Sequence, residues 1–293
     1  MSYEFATEDI SYEDYASGRV LYNQKGTTSF PARLISEIFQ RCVAYLEKQG
    51  KSAPYTIYDP LCGGAYSLTI LGFLHPDLIN KIIASDAMED VVIFAKKNLS
   101  LLTEAGMQDR INQIKQYLAD YGKESHAEAL ESAYKFESII KNMPHSININ
   151  CYQADALTDS IKLDKLKPDA LKTDALEPDA LMPDALKPDT LKLNTLKPDA
   201  LNLVTLKQDQ SEMNDKIDIV ITDIPYGKLV EWITEDGKDA VSVMLQNLLP
   251  KLSKQSIVAV SSRKRTAIYN DNYTRVSKFQ IGKRQIVLLR PNS

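Results

Sequence analysis

The sequence is poor in the residues that build disulfide frameworks and metal centres. It has three cysteines (Cys42, Cys62, Cys151) and three histidines (His75, His126, His145) in 293 residues, none of them at metal-ligand spacing. An odd number of widely separated thiols argues against a stapled secreted scaffold and fits a reduced cytoplasm. Apolar runs are short, and none approaches the roughly 20 residues that cross a bilayer, so neither a membrane nor a metal partner is expected. The opening residues, MSYEFATEDI, lack the basic start and apolar stretch of a secretory leader. Positive charge is missing from residues 1–15, which carry Glu4, Glu8, Asp9, Glu13 and Asp14 without a Lys or Arg. Negative charge is nearly missing from residues 251–293, where Lys251, Lys254, Arg263, Lys264, Arg265, Arg275, Lys278, Lys283, Arg284 and Arg290 face Asp271 alone. The net charge of −4 conceals this asymmetry. Such a basic stretch is a candidate phosphate-facing surface; the plainer alternative is a solvated charged face.

With 44% hydrophobic and 25% charged residues the composition is that of a globular protein, long enough for one large α/β domain or two small ones. The informative stretch is YTIYDPLCGGAYSLTILGFL, residues 55–74. An apolar run ends in Asp59-Pro60, a turn carries Gly63 and Gly64, and Ser67, Leu68, Ile70, Leu71 and Leu74 recur at helical spacing. That is strand, tight turn, helix, as at the opening of a nucleotide-binding sheet. Glycine lets the backbone approach a ligand, and the helix N-terminus offers free N–H groups. An ordinary βα turn reads the same way until a second motif joins it.

Upstream, residues 1–29 read as an irregular arm. A helix is predicted from Phe30-Pro31 onward, with Arg33, Glu37 and Arg41 forming a charged row read as a surface ion-pair ladder. Downstream, a second strand ends in Asp86, placed either to accept hydrogen bonds from ribose hydroxyls or to cap a helix. That helix is predicted over 88–105 with Gly106 closing it, and further helix over 107–142 with a loop near Gly122. A third strand, 146–152, runs toward Asp155. From Ile161 to Leu206 an aliphatic residue then recurs every five positions around the unit Pro-Asp-Ala-Leu-Lys. Pro168, Pro178, Pro183, Pro188 and Pro198 forbid a continuous helix, so 160–211 reads as a low-complexity insertion. A buried-type strand, Ile217 to Thr222, ends in Asp223-Ile224-Pro225-Tyr226-Gly227. A helix over 239–252, a strand over 256–261 and a C-terminal antiparallel hairpin turning at Gly282-Lys283 complete the pattern.

A carboxylate and a carbonyl beside a rigid proline can accept hydrogen bonds from a planar base nitrogen, and the adjacent tyrosine offers a stacking face. With the turn at Asp59-Pro60-Leu61-Cys62-Gly63-Gly64, this string resembles the class I S-adenosylmethionine-dependent methyltransferases, whose catalytic motif is (Asn/Asp)-x-Pro-Tyr. More narrowly, SGRVL (17–21), FPARL (30–34), SEIFQR (36–41), DPLCGGAYSLTILGFLH (59–75), TDIPYG (222–227) and IGKR (281–284) resemble the avilamycin-resistance type of 23S ribosomal RNA guanine methyltransferase. The resemblance implies a Rossmann-like seven-stranded α/β sheet over 51–293, a C-terminal hairpin, and a helical extension over 1–50. It implies S-adenosyl-L-methionine as cofactor and ribosomal RNA as partner; the thiols point to the cytoplasm, and the sequence leaves the oligomeric state open, with a monomer favoured. Carried over position by position, it implies that Asp59, Pro60, Gly63 and Gly64 border the methionine side of the cofactor, Asp86 its ribose and Asp155 its adenine. Asp223, Pro225 and Tyr226 would hold the target base, and Arg263, Lys264, Arg265, Lys283 and Arg284 the RNA. Ala65 stands where many relatives carry another glycine. The same tetrad serves a DNA base, another RNA or a protein amide, and a non-catalytic RNA-binding scaffold is the alternative outside enzymes.

Overall fold

A computed structural model describes residues 3–8, 10–23, 30–158, 216–224, 239–263 and 266–292. The pentad repeat therefore lies outside the described residues. Seven strands form one sheet: β1 (Tyr55–Asp59), β2 (Ile79–Asp86), β3 (Asn148–Gln153), β4 (Ile217–Asp223), β5 (Leu252–Arg263), β6 (Tyr273–Ile281) and β7 (Arg284–Pro291). Their order is β3-β2-β1-β4-β5-β7-β6. The first five in that order run parallel, and β7 enters antiparallel between β5 and β6. The C-terminal hairpin expected from the sequence is thus built into the sheet rather than appended to it.

The central parallel strands β1 and β4 are buried on both faces, as strands covered on both sides must be, while the edge strand β3 is only partly buried. Ile57, Ile82, Ile219, Ile257 and Ile286 point into one core. Their neighbours Tyr58, Ile83, Val220, Val258 and Val287 point into the other. The first core receives the apolar faces of α1 (Ala32–Lys48), α2 (Tyr66–Leu74), α3 (Glu89–Ser100), α4 (Glu104–Tyr121) and α5 (Glu124–Lys141). The second receives α6 (Ala240–Leu248), through Val241, Met244, Leu245 and Leu248.

Gly106 and the charged row on α1 lie in surroundings that differ from those the sequence suggests. Gly106 does not close a helix; α3 stops at Ser100, and Gly106 lies in the first turn of α4. Thr103 caps that turn, its hydroxyl accepting the Gly106 N–H at 3.1 Å. The glycine is needed for closeness: a Cβ there would lie 2.2 Å from the Ser100 carbonyl oxygen. The charged row on α1 is not a surface ladder either. Glu37 is fully buried, and its carboxylate accepts the backbone N–H groups of Glu4, Phe5 and Ala6 at 2.8–2.9 Å as well as the Arg41 guanidinium at 2.8 Å. Burial would raise its pKa, but those donors outweigh burial and hold it below the usual carboxylate value. A helix-face spacing cannot reveal that an upstream arm will cover the face.

The arm is irregular, as expected, apart from one 3-10 turn at Glu13–Tyr15. It is nevertheless part of the core, with Val20 and Leu21 fully buried. Buried Arg110 on α4 donates to the Val20 carbonyl at 2.8 Å and lies 4.4 Å over the Tyr22 ring.

Gly106→Ala drives a methyl group into a backbone carbonyl that cannot move cheaply. It is expected to cost at least about 2 kcal/mol of stability in urea unfolding.

Candidate functional site

Three carboxylates mark the carboxyl ends of three adjacent parallel strands: Asp86 on β2, Asp59 on β1 and Asp223 on β4. The chain crosses over between β1 and β4, and a doubly wound sheet opens a crevice at such a point. A cleft of about 180 Å³ lies there, lined by Asp59, Leu61, Cys62, Gly63, Gly64, Tyr66, Ser67 and Asp223, with Phe94 and Asn98 of α3. Ser17, Tyr22, Asn23 and Phe30 of the arm complete the wall. The two motifs, far apart in sequence, therefore meet in one crevice.

The loop between β1 and α2 has the geometry its glycines suggest. Gly63 is left-handed at φ +52°, and a Cβ there would meet nothing within 4 Å, so its surroundings are open. Gly64 is close-packed: a Cβ would lie 3.0 Å from the Phe94 ring. Ala65 also takes the left-handed conformation, at φ 53°, which costs an L-residue about 1–2 kcal/mol. Ala65 thus takes the backbone conformation that glycine adopts most cheaply.

Each acid is held differently. Asp59 is 6% exposed, and its Oδ1 accepts the Leu61 N–H at 3.0 Å. Burial pushes its pKa up to about 7; the Leu61 N–H and the Thr222 hydroxyl oppose this, while the charges of Asp86 and Asp223 add to it. Asp86 accepts the Gly63 N–H on one oxygen at 3.0 Å and the Met88 N–H on the other at 3.2 Å. It pins the glycine loop and holds the turn that leads into α3, whose N-terminus takes no side-chain cap. A carboxylate has about four lone-pair sites, which leaves capacity for ribose hydroxyls. Asp223 lies 3.4 Å from a guanidinium nitrogen of Arg284. Asp155, two residues past β3, accepts the Leu157 N–H at 2.9 Å in a local turn and is not among the cleft-lining residues.

Pro60 lies between Asp59 and the glycine turn. Pro225, Tyr226, Lys264 and Arg265 fall outside the described residues. Arg263 and Lys283 are exposed near the same edge of the sheet. Arg284, expected beside them on RNA, is instead half-buried against Asp223, its guanidinium 4.6 Å over the Phe30 ring.

Asn98 is the functional residue that sequence reasoning missed. It is 1% exposed; its amide donates to the Gly64 carbonyl at 2.8 Å and the Tyr22 carbonyl at 3.2 Å, and its oxygen accepts the Tyr22 N–H at 2.9 Å. One side chain thereby ties the arm to the glycine loop. The only signal was an amide on the apolar face of a helix.

A cofactor with a cationic amino acid end and a ribose fits these residues. The buried acid Asp59, the open left-handed Gly63 and the acid ending β2 supply a counter-charge, room and hydroxyl acceptors in the required order. Among the described residues no group of three or more His, Cys, Asp or Glu could hold a metal ion, and no helix is long and apolar enough to cross a membrane.

Comparisons with known proteins agree with this geometry. The family model described as rRNA methyltransferase AviRa matches residues 1–176 and 187–284, breaking within the pentad repeat. The 23S rRNA (guanine(2535)-N(1))-methyltransferase of Streptomyces viridochromogenes is 30% identical over 292 residues, covering 99% of this chain and 96% of its own. Two solved structures of the rRNA methyltransferase aviRa from the same organism superpose with a TM-score of 0.73 at 28% and 27% identity, each over 99% of this chain and 96% of that one. The chain belongs to the AviRa family of rRNA methyltransferases, enzymes that draw their methyl group from S-adenosylmethionine.

Proposed function

We propose that this protein methylates N1 of a guanine in 23S ribosomal RNA, in the cytoplasm, with Asp59, Pro60, Gly63, Gly64, Asp86 and Asp155 holding the cofactor and Asp223, Pro225 and Tyr226 the base. The observation that carries the reading is the meeting of Asp59, Gly63, Gly64 and Asp223 in one cleft at the carboxyl ends of β1 and β4. The name of the Streptomyces viridochromogenes relative supplies the target.

S-adenosylmethionine supplies a methyl group on a sulfonium, already activated for transfer. The protein's task is then alignment and charge placement, and holding reactants in line is worth about 7–11 kcal/mol. Asp59, from the floor of the cleft, offers a carboxylate to a cationic amino group. Asp86 keeps the Gly63 N–H in place and offers its remaining lone pairs to ribose hydroxyls. Asp223 accepts the N1 proton of the base, exposing the nitrogen lone pair. Arg263 and Lys283, with Lys264 and Arg265, hold the RNA backbone outside the cleft, and a single-stranded segment is the form that can splay a base into it.

Three outcomes test the reading. S-adenosylmethionine binding, followed by calorimetry, is expected to tighten as pH rises through about 7, because Asp59 must lose its proton to serve as a counter-ion. In Asp59→Asn that dependence disappears and affinity is low throughout. Asp223→Asn is expected to keep cofactor affinity and lose about 100-fold or more in labelled-methyl transfer to 23S rRNA; retained turnover would leave Asp223 only a hydrogen-bonding part. Removing the charges of Arg263 and Lys283 is expected to lower the slope of log affinity against log salt by about 0.7 per lost phosphate contact.

A further inference from the structure

We propose that Arg284 is a second base-reading residue, which donates to guanine O6 and stabilises the negative charge that gathers there as N1 loses its proton. The inference rests on the guanine reading above and deepens it, because it moves Arg284 from the RNA backbone to the base edge.

The placement follows from strand register. Asp223 at the end of β4 is opposite Ser261 of β5, and Ser261 is opposite Ile286 of β7. Arg284, two residues before Ile286, therefore projects just beyond the level of Asp223, opposite Arg263. The antiparallel insertion of β7 is what brings a residue that starts a strand to the edge where the parallel strands end. There the guanidinium lies 3.4 Å from Asp223 Oδ2 and stacks 4.6 Å over Phe30, which lines the cleft. The Arg284 side chain is 14% exposed and that of Asp223 28%, too enclosed for a phosphate tether and open enough for a base edge.

The chemistry of the pair is directional. Guanine presents O6 as an acceptor beside N1–H and N2–H donors, so an acceptor and a donor side by side match it. Adenine presents an amino group where guanine has O6, and that amine would face a cation with no lone pair to accept it. The fork of Arg284 carries five N–H donors, enough to serve Asp223 and a base oxygen together. Its 3.4 Å contact with Asp223 is long, of the kind that tightens when substrate arrives. In the transfer, the N1 proton passes to Asp223 and the electron pair left behind spreads from N1 onto O6. N1 then forms the new N–C bond while the C–S bond breaks with its pair going to sulfur, and Asp223 returns the proton to water. Charge develops on O6 only during this step, so a cation fixed beside it favours the transition state over bound substrate.

The test compares Arg284→Met and Arg284→Lys with wild type on transcribed 23S rRNA, with thermal melting and S-adenosylmethionine affinity as controls for folding. In Arg284→Met, kcat is expected to fall about 100-fold or more while KM and the salt slope of RNA affinity stay unchanged. Its rate is expected to keep rising with pH where wild type has levelled off, since N1 is no longer acidified. Arg284→Lys, which restores a point charge, is expected to recover part of the rate. A salt slope lowered by about 0.7 with kcat unchanged would return Arg284 to the phosphates and overturn the proposal. A fall in kcat with an unshifted pH profile would also overturn it, as a structural effect. If wild type leaves no 1-methylguanosine in digested RNA, the guanine reading itself fails, independently of either variant.

Discussion

Placing several negative charges at one end of a parallel sheet is the constraint on which this site depends. Asp86, Asp59 and Asp223 end three neighbouring strands, and like charges this close raise one another's cost. The fold answers differently at each. Asp86 is compensated by backbone N–H groups and Asp223 by a guanidinium, while Asp59 has no cation beside it among the described residues, and burial carries its pKa to about 7. That acid is the one that lines the cleft beside the glycine loop. A buried acid with a raised pKa costs stability at neutral pH, and groups perturbed in this way cluster at functional sites.

The arm shows how irregular chain becomes structure. Residues 3–8 and 10–23 have little regular structure of their own, yet polar side chains elsewhere satisfy many of their backbone groups. Glu37 gathers three N–H groups, Arg33 and Arg110 reach carbonyls, and Asn98 takes both groups of Tyr22. A buried segment without strand or helix must find its partners this way. Because Tyr22 and the Gly64 carbonyl share Asn98, whatever displaces the arm also loosens the glycine loop. Tyr66 makes a second tie, its hydroxyl bonding the Tyr15 carbonyl. The arm thus forms one wall of the cleft, and Arg284 of β7 stacks on the Phe30 ring of that wall.

Local signals carried far in this sequence. Apolar runs such as 219–221 announce strands covered on both faces, and Gly63 near Asp59 announces a turn because few other residues take positive φ cheaply. Gly106 shows the limit: the same residue type marked closeness to the Ser100 carbonyl rather than a helix end, and only the packing distinguishes the two. Arg33, Glu37 and Arg41 show it again, since helical spacing placed them on one face without saying that the face is buried.

By itself the sequence determined the alternation of strands and helices, the acids that end the strands, and the two motifs whose pairing names the chemistry. These are set by periodicity and by residues within a few positions of one another. The tertiary structure alone decided that β7 slots antiparallel between β5 and β6, and hence that Arg284 meets Asp223 across 61 positions of chain. It alone decided that Glu37 is fully buried and that Asn98 joins arm to loop. Those outcomes depend on which surfaces come together when the chain closes on itself, and no local pattern encodes the partner of a side chain that lies dozens of residues away.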